Sequence, residues 1–303
     1  TLDPVATLDA PLPGGAGAWL LAARPATLTA SLAPVAVGTA VAAAAGEARA
    51  IPALAALAAA LLIQVGANFA NDAFDFEQGA DTGERTGPLR AAQAGLLSPG
   101  ALRAATLAVF AAAALIGVYL IARGGWPIAL FGILGLLAGY AYTGGPIPLG
   151  YRGLGDPLVF LFFGVFAVWG TFRVQTLGPS DLALAASIPI GLLATALIAV
   201  NNLRDIETDR SANKRTLAVR LGRSGACRYY TLLLAGSYAA LPVLWWLGAS
   251  PACVGLPLLT APMAWRLSRK ARVERGAELN RVLRGTARLQ LVFGALLACG
   301  FVL

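Results

Sequence analysis

Apolar runs separated by short polar clusters fill this chain. Nine can be drawn, at residues 19–45, 51–74, 101–122, 126–142, 157–177, 182–203, 229–247, 251–267 and 289–303. A helix needs about 20 predominantly apolar residues to cross a ~30 Å hydrocarbon core, and runs of that order recur along the whole length. Gly, Pro and charged residues mark the breaks, as turns require. The pattern predicts an all-α membrane protein, a bundle of nine transmembrane helices in a single domain over residues 19–303. Residues 1–18 read as a Pro/Gly-rich tail, without the cationic stretch that opens a signal peptide.

Composition strengthens the membrane reading. Hydrophobic residues make up 58% of the 303 positions and charged residues only 13%, too few charges to cover the surface of a soluble domain. The net charge of +8 follows topology and implies no nucleic-acid partner. With the N-terminus in the cytoplasm, every even-numbered loop is cytoplasmic. Twenty of the 23 Lys and Arg then lie on that side, and only Arg49, Arg123 and Arg173 on the other. The positive-inside rule predicts this imbalance. The Arg-rich stretch 266–288 reads as a topology signal in contact with lipid headgroups, so the bilayer is the expected surface partner.

Residue types narrow the chemistry. The chain has no histidine, which removes imidazole as general base or metal ligand. Cys227, Cys253 and Cys299 match no metal or disulfide spacing and read as small buried residues. Carboxylates, amides, Arg, Lys and Tyr remain.

Eight of the fifteen acids fall in two clusters, Asp72, Asp75, Glu77, Asp81 and Glu84, then Asp205, Glu207 and Asp209. Each cluster continues from an apolar run at its cytoplasmic end. At about 100° per residue, a helix brings Asn68, Asn71, Asp72 and Asp75 into one arc, and Asn201, Asn202, Asp205 and Asp209 into another. Ionisable groups near a membrane face a bundle interior or a wet cavity. Two clusters with one Asn/Asp grammar suggest two half-bundles facing each other. Hard oxygen ligands without His or Cys suit Mg²⁺ shared with substrate phosphates. Arg85, Arg90, Lys214 and Arg215 stand beside the motifs and can clamp phosphate oxygens. A diphosphate handled by a greasy bundle points to a lipid diphosphate.

These motifs resemble those of the UbiA superfamily of intramembrane prenyltransferases, closest to its menaquinone branch. The likeness includes Arg24-Pro25-Ala26-Thr27, Asn71-Asp72-x-x-Asp75-x-x-x-Gly79-x-Asp81, Arg85-Thr86-Gly87-Pro88-Leu89-Arg90, Tyr142-Thr143-Gly144-Gly145-Pro146, Gly153-Leu154-Gly155-Asp156, Asn201-Asn202-x-Arg204-Asp205-x-x-x-Asp209 and Lys214-Arg215-Thr216. It departs at Ala26, where a basic residue is frequent, and at Asn213, where Gly is common and Asn is the usual left-handed substitute. The resemblance implies transfer of a polyprenyl group from its diphosphate to an aromatic acceptor, 1,4-dihydroxy-2-naphthoate in this branch, followed by loss of CO₂. It also implies a bacterial inner membrane with the site loops cytoplasmic. Sister acceptors are 4-hydroxybenzoate and homogentisate. The rival of another class is a secondary transporter, whose charges would sit nearer the midplane.

In this reading Asn68, Asp72, Asp75, Asp205 and Asp209 hold one or two Mg²⁺, and Asp81 joins when its loop closes. Asn71, Asn201 and Asn202 complete the polar face. Tyr140 or Tyr142 could face an allylic cation, or belong to an interfacial aromatic belt. Asp156 before Pro157 either contacts substrate or caps a helix.

Overall fold

The computed structural model describes residues 14–79, 87, 89–146 and 148–303, and no strand occurs among them. The first predicted span is broken at Arg24. α1 (Ala16–Ala23) and α2 (Pro25–Ala44) meet there, with Arg24 at φ 51° and ψ 68°. Pro25 lacks a backbone N–H and opens α2, where a donor would have no intrahelical partner. α3 (Ala50–Glu77) runs past its predicted end, so the first motif is helical through Asp75. α4 (Pro99–Gly124) starts under a Ser98 cap, and α5 (Trp126–Ala141) follows Gly125.

The fifth segment is α6 (Gly155–Val159), a π-helical stretch at Phe160–Phe166 and α7 (Ala167–Thr176). α8 (Asp181–Arg204) is capped by Ser180 and breaks at Asp205 before α9 (Ile206–Ser211). The second motif is therefore kinked and does not form the continuous helix assumed from spacing. α10 (Leu217–Ala239) begins well ahead of residue 229 and bends at Gly222. α11 (Leu241–Trp246), α12 (Ala252–Leu258), α13 (Ala261–Val273) and α14 (Leu279–Val302) complete the bundle.

Among the described residues, six helical units are long and apolar enough to cross a bilayer: α2, α3, α4, Gly155–Thr176, α8 and Gly276–Val302. α5 is apolar but has only 16 residues. The predicted spans 229–247 and 251–267 are interrupted between α10 and α11 and between α12 and α13. The chain is an integral, multi-pass helical membrane protein.

α2 packs against α3, α7, α8 and α14. Lipid tails give helices no hydrophobic reason to associate, so close van der Waals fit must do it, and small residues permit that fit. Gly38 of α2 lies against the Val168 carbonyl of α7, and Gly294 of α14 lies against Ala33. The three arginines that broke the charge pattern gather at one end of the bundle. Arg123 Nε donates to the Val174 carbonyl at 3.1 Å, and Arg173 Nε donates to the Gly124 carbonyl at 3.1 Å. Each guanidinium thus satisfies a carbonyl near the end of the other's helix. The Arg49 backbone N–H donates to Gln175 Oε1 at 3.0 Å. The acidic motifs lie at the opposite ends of α3 and α8.

Candidate active site

A cavity of about 1300 Å³ runs through the bundle. On α3 its lining extends from Ala56 to Asp75, about 28 Å at 1.5 Å per residue. Ile63, Phe131, Phe162 and Phe166 give it apolar walls, while Asn71, Asp75, Asn201, Asn202, Asp205, Asp209 and Lys214 line its polar part. Residues of both motifs thus line one cavity.

Asp75 is the hub. Its side chain is 5% exposed and accepts from Arg90 Nη2 at 3.0 Å, Lys214 Nζ at 2.9 Å and Tyr151 Oη at 3.0 Å. Arg90 and Lys214, two of the cations that stand beside the motifs in sequence, thus both bond to Asp75. Tyr151, on the turn Gly150–Arg152, escaped the sequence reading. Its ring carries the Lys214 ammonium 4.4 Å from the centroid, and its carbonyl accepts the Arg215 N–H at 2.8 Å. Burial, then the Asp75 charge, push the Tyr151 phenol far above its ordinary range, so it stays a donor. Gly153, at φ 78°, lets this turn approach. A Cβ there would stand 2.8 Å from the Arg215 carbonyl.

Asp72 does something other than expected. It is 1% exposed, lies outside the cavity lining, and accepts the Ala91 and Ala92 N–H groups at 3.1 Å each. Those alanines pack with Ala22, Phe69, Ala73 and Leu102. The carboxylate therefore ties down the chain just after Arg90. Helical spacing grouped Asp72 with Asp75 because both fall in one 100° arc, and only the packed turn at 90–97 separates them. Asp72→Ala leaves two buried N–H groups bare, at about 1–3 kcal/mol for each such group, whereas Asp72→Asn keeps an acceptor. Thermal unfolding in detergent should show that order, with an unchanged Mg²⁺ requirement in Asp72→Asn. A tenfold higher Mg²⁺ requirement in Asp72→Asn would restore Asp72 as a ligand.

Asn68, unlike Asp72, lines the cavity, with its amide nitrogen engaged at the α1–α2 corner. Its Nδ2 donates to the Ala23 carbonyl and Thr27 Oγ1, both at 2.9 Å, and Gln64 Nε2 adds a bond to Thr27 Oγ1 at 3.3 Å. These contacts hold the corner that carries Arg24, which lines the cavity in the field of Asp72 and Asp75. Asn71 stays at the cavity, with its Oδ1 accepting from Thr143 Oγ1 at 2.8 Å.

In the second motif, Arg204 grips Asp205 through Nε at 2.7 Å and through Nη2. It also donates to Asn201 Oδ1 at 2.9 Å and Asn280 Oδ1 at 2.8 Å. Asp209 is bonded less tightly, by Thr216 Oγ1 at 3.4 Å. Burial pushes its carboxyl up to about 7, opposed by Lys214 and aided by the charges of Asp205 and Asp75. Asn213 holds φ 60°, the left-handed conformation its position called for.

Other expected residues are placed elsewhere. Tyr142 lines the cavity, whereas Tyr140 packs edge-on to Phe74 at 5.2 Å and does not. Arg215 turns away into an outer basin of about 590 Å³ shared with Arg152 and Arg220. Asp156 is 3% exposed and outside the cavity lining, and Leu154, not Asp156, occupies the cap position of α6. Asp81 and Arg85 lie outside the described residues.

The donor set fits Mg²⁺ in kind, with carboxylate and amide oxygens from α3, α8 and α9 around one cavity. Among the described residues no three acids converge into a ready-made cage. A metal here would draw further ligands from phosphate and water, as Mg²⁺ commonly does.

An all-helical membrane bundle whose paired Asn/Asp motifs open on one elongated cavity defines a class, the intramembrane prenyltransferases. The family model described as UbiA prenyltransferase family matches residues 31–292, and the chain belongs to that family. It is 40% identical over 282 residues to the 1,4-dihydroxy-2-naphthoate octaprenyltransferase of Mycobacterium tuberculosis, covering 92% of this chain and 95% of that one. To the enzyme of the same name from Escherichia coli it is 37% identical over 289 residues, covering 91% and 93%. Among solved structures it resembles a UbiA homolog from Archaeoglobus fulgidus bound to GPP and Mg²⁺. The TM-score is 0.67 at 15% identity, over 94% of this chain and 99% of that one. An apo UbiA homolog from Aeropyrum pernix gives a TM-score of 0.68 at 18% identity, over 92% and 98%. At such identities the structures establish the shared fold.

Proposed function

We propose that this protein transfers a polyprenyl group from polyprenyl diphosphate to 1,4-dihydroxy-2-naphthoate, releasing diphosphate and CO₂ and giving demethylmenaquinol. The observation that carries the chemistry is the single cavity joining both acidic motifs to a long apolar groove. The acceptor rests on the relatives named above. A transporter reading loses ground because the charges cluster at the ends of α3 and α8.

Asp75, Asp205 and Asp209, with the Asn71 amide, would hold Mg²⁺. When bound, the metal supplies positive charge that makes the diphosphate a better leaving group. Lys214 and Arg90 then face the same diphosphate, and bonds now made to Asp75 can pass to phosphate oxygens as charge develops there. The allylic C–O bond breaks with its electron pair going to diphosphate, the electron-rich naphthoate ring attacks the allylic carbon, and the C–CO₂⁻ bond then breaks with its electron pair restoring the aromatic ring as CO₂ leaves. Tyr142 at the cavity wall supplies an aromatic ring of the kind that suits a transient positive charge. The apolar groove receives the prenyl tail. Nine crossings, with α5, α10–α11 and α12–α13 completing the six long units, would put the site loops on the cytoplasmic face of a bacterial inner membrane.

Membranes containing the protein, supplied with Mg²⁺, a polyprenyl diphosphate and a panel of aromatic acceptors, should yield one prenylated product by mass spectrometry. Its mass should be that of demethylmenaquinol with the supplied chain. Product from 4-hydroxybenzoate or homogentisate but none from the naphthoate would overturn the acceptor. No diphosphate release with any acceptor would overturn the reaction.

A further inference from the structure

Tyr151 touches both the first acidic motif and the cationic turn that follows the second. Its hydroxyl donates to Asp75 Oδ1, the same oxygen that accepts Lys214 Nζ, and its ring face lies under that ammonium. Its main-chain carbonyl holds Arg215, the residue after Lys214. Lys214 follows Asn213 in its left-handed turn, and its own N–H donates to the Asp209 carbonyl at 2.8 Å. The main chain around Lys214 is therefore fixed, while the direction of its flexible four-carbon stem depends on Asp75 and the Tyr151 ring. Tyr151 also lines both the main cavity and the outer basin of Arg152, Arg215 and Arg220.

We infer that Tyr151 is a positioning residue for diphosphate, its ring aiming the Lys214 ammonium into the cavity and its hydroxyl orienting Asp75. This rests on the prenyl-diphosphate reading of the site. When Lys214 exchanges Asp75 for a phosphate oxygen, the carboxylate no longer directs it and the aromatic face remains. A quadrupole attracts a cation without a fixed hydrogen-bond direction, so the ammonium can follow the phosphate while staying over the ring. The hydroxyl meanwhile keeps one Asp75 oxygen oriented after Lys214 has left it.

The two functions separate by substitution, because the backbone bond to Arg215 survives in every variant. Tyr151→Phe keeps the ring, and Tyr151→Leu removes it while leaving apolar bulk between cavity and basin. Calorimetry on the detergent-solubilised full chain would measure binding of inorganic diphosphate with Mg²⁺. Turnover in membranes would be followed by diphosphate release, and thermal unfolding would confirm that each variant is folded. Tyr151→Phe should bind diphosphate within about threefold of wild type at saturating Mg²⁺ but need more Mg²⁺ for half-maximal turnover. Tyr151→Leu should weaken diphosphate binding about tenfold, within the range of a desolvated cation–π contact. In a Lys214→Met background, Tyr151→Leu should bind no more weakly than Tyr151→Phe.

Equal binding by the folded Phe and Leu variants would overturn the role of the ring. So would an undiminished effect of Leu in the Lys214→Met background. An unchanged Mg²⁺ requirement in Tyr151→Phe would overturn the role of the hydroxyl. A wild-type protein that binds no diphosphate and releases none would overturn the prenyl-diphosphate reading itself. An active wild type with indifferent variants overturns only Tyr151.

Discussion

Asp75→Asn should reduce prenyl transfer by about 10³-fold or more, the scale seen when a preorganised electrostatic group is removed from an active site. Asp75 receives Arg90, Lys214 and Tyr151 on two oxygens with little solvent access. The amide keeps the shape and one acceptor oxygen but loses the charge that a divalent cation needs. It also removes the anion that Arg90 and Lys214 share, and breaking a buried ion pair from one side commonly costs about 3–5 kcal/mol. Solvent in the cavity will soften that figure. Two readouts separate the effects. Thermal unfolding in detergent should show a folded, less stable protein, and the initial rate in membranes should stay near background at high Mg²⁺. A rate above one tenth of wild type would remove Asp75 from the metal and diphosphate chemistry.

The second large effect is expected far from any charge. Gly164, in the π-helical stretch, faces Gly191 of α8. A Cβ at 164 would lie 2.6 Å from the Gly191 Cα and 3.0 Å from the Ser187 carbonyl. Those neighbours are backbone and cannot rotate away, so Gly164→Leu must push two helices apart. Overpacking of this kind costs about 1–3 kcal/mol or more. α8 carries Asn201 and Asn202 on its last turn and leads directly into Asp205, so any displacement that lets the variant fold also moves the second motif away from Asp75. A misplacement of about 1 Å can lower a rate about 100-fold. Gly164→Leu is expected to give little folded protein, by size-exclusion profile and unfolding temperature, and turnover reduced beyond the loss of protein. Normal yield with normal turnover would show that the α6–α7 unit and α8 are not held by backbone contact.

The membrane class was written in the hydropathy pattern because apolar length is a local property of the chain. The two acidic stretches were equally visible, since charge next to an apolar run has few structural uses. Boundaries fared less well. α10 and α14 begin in cationic, amphipathic turns that a search for apolar runs passes over, and the break at Arg24 is carried by one left-handed residue. Individual site residues divided along the same line. Asp75, Asp205, Asp209, Arg90 and Lys214 meet at the cavity as their motifs suggested. Tyr151 was missed because a tyrosine in a Gly-rich turn at a membrane end looks like any interfacial aromatic. Its neighbours Gly150, Gly153 and Gly155 were the available signal, since a Cβ at each would stand too close to Tyr142 or Arg215.

The amino-acid order by itself determined a helical membrane protein and two carboxylate motifs with cations beside them. Each follows from residues near one another in the chain, where period and composition carry the information. Only the tertiary structure decided which carboxylate does what. Asp72 and Asp75 are indistinguishable by helical phase, yet one is closed over by the N–H groups of Ala91 and Ala92 and the other opens on the cavity. That choice depends on how the turn at 90–97 packs against α1 and α4. Contacts so distant in sequence leave no periodic trace.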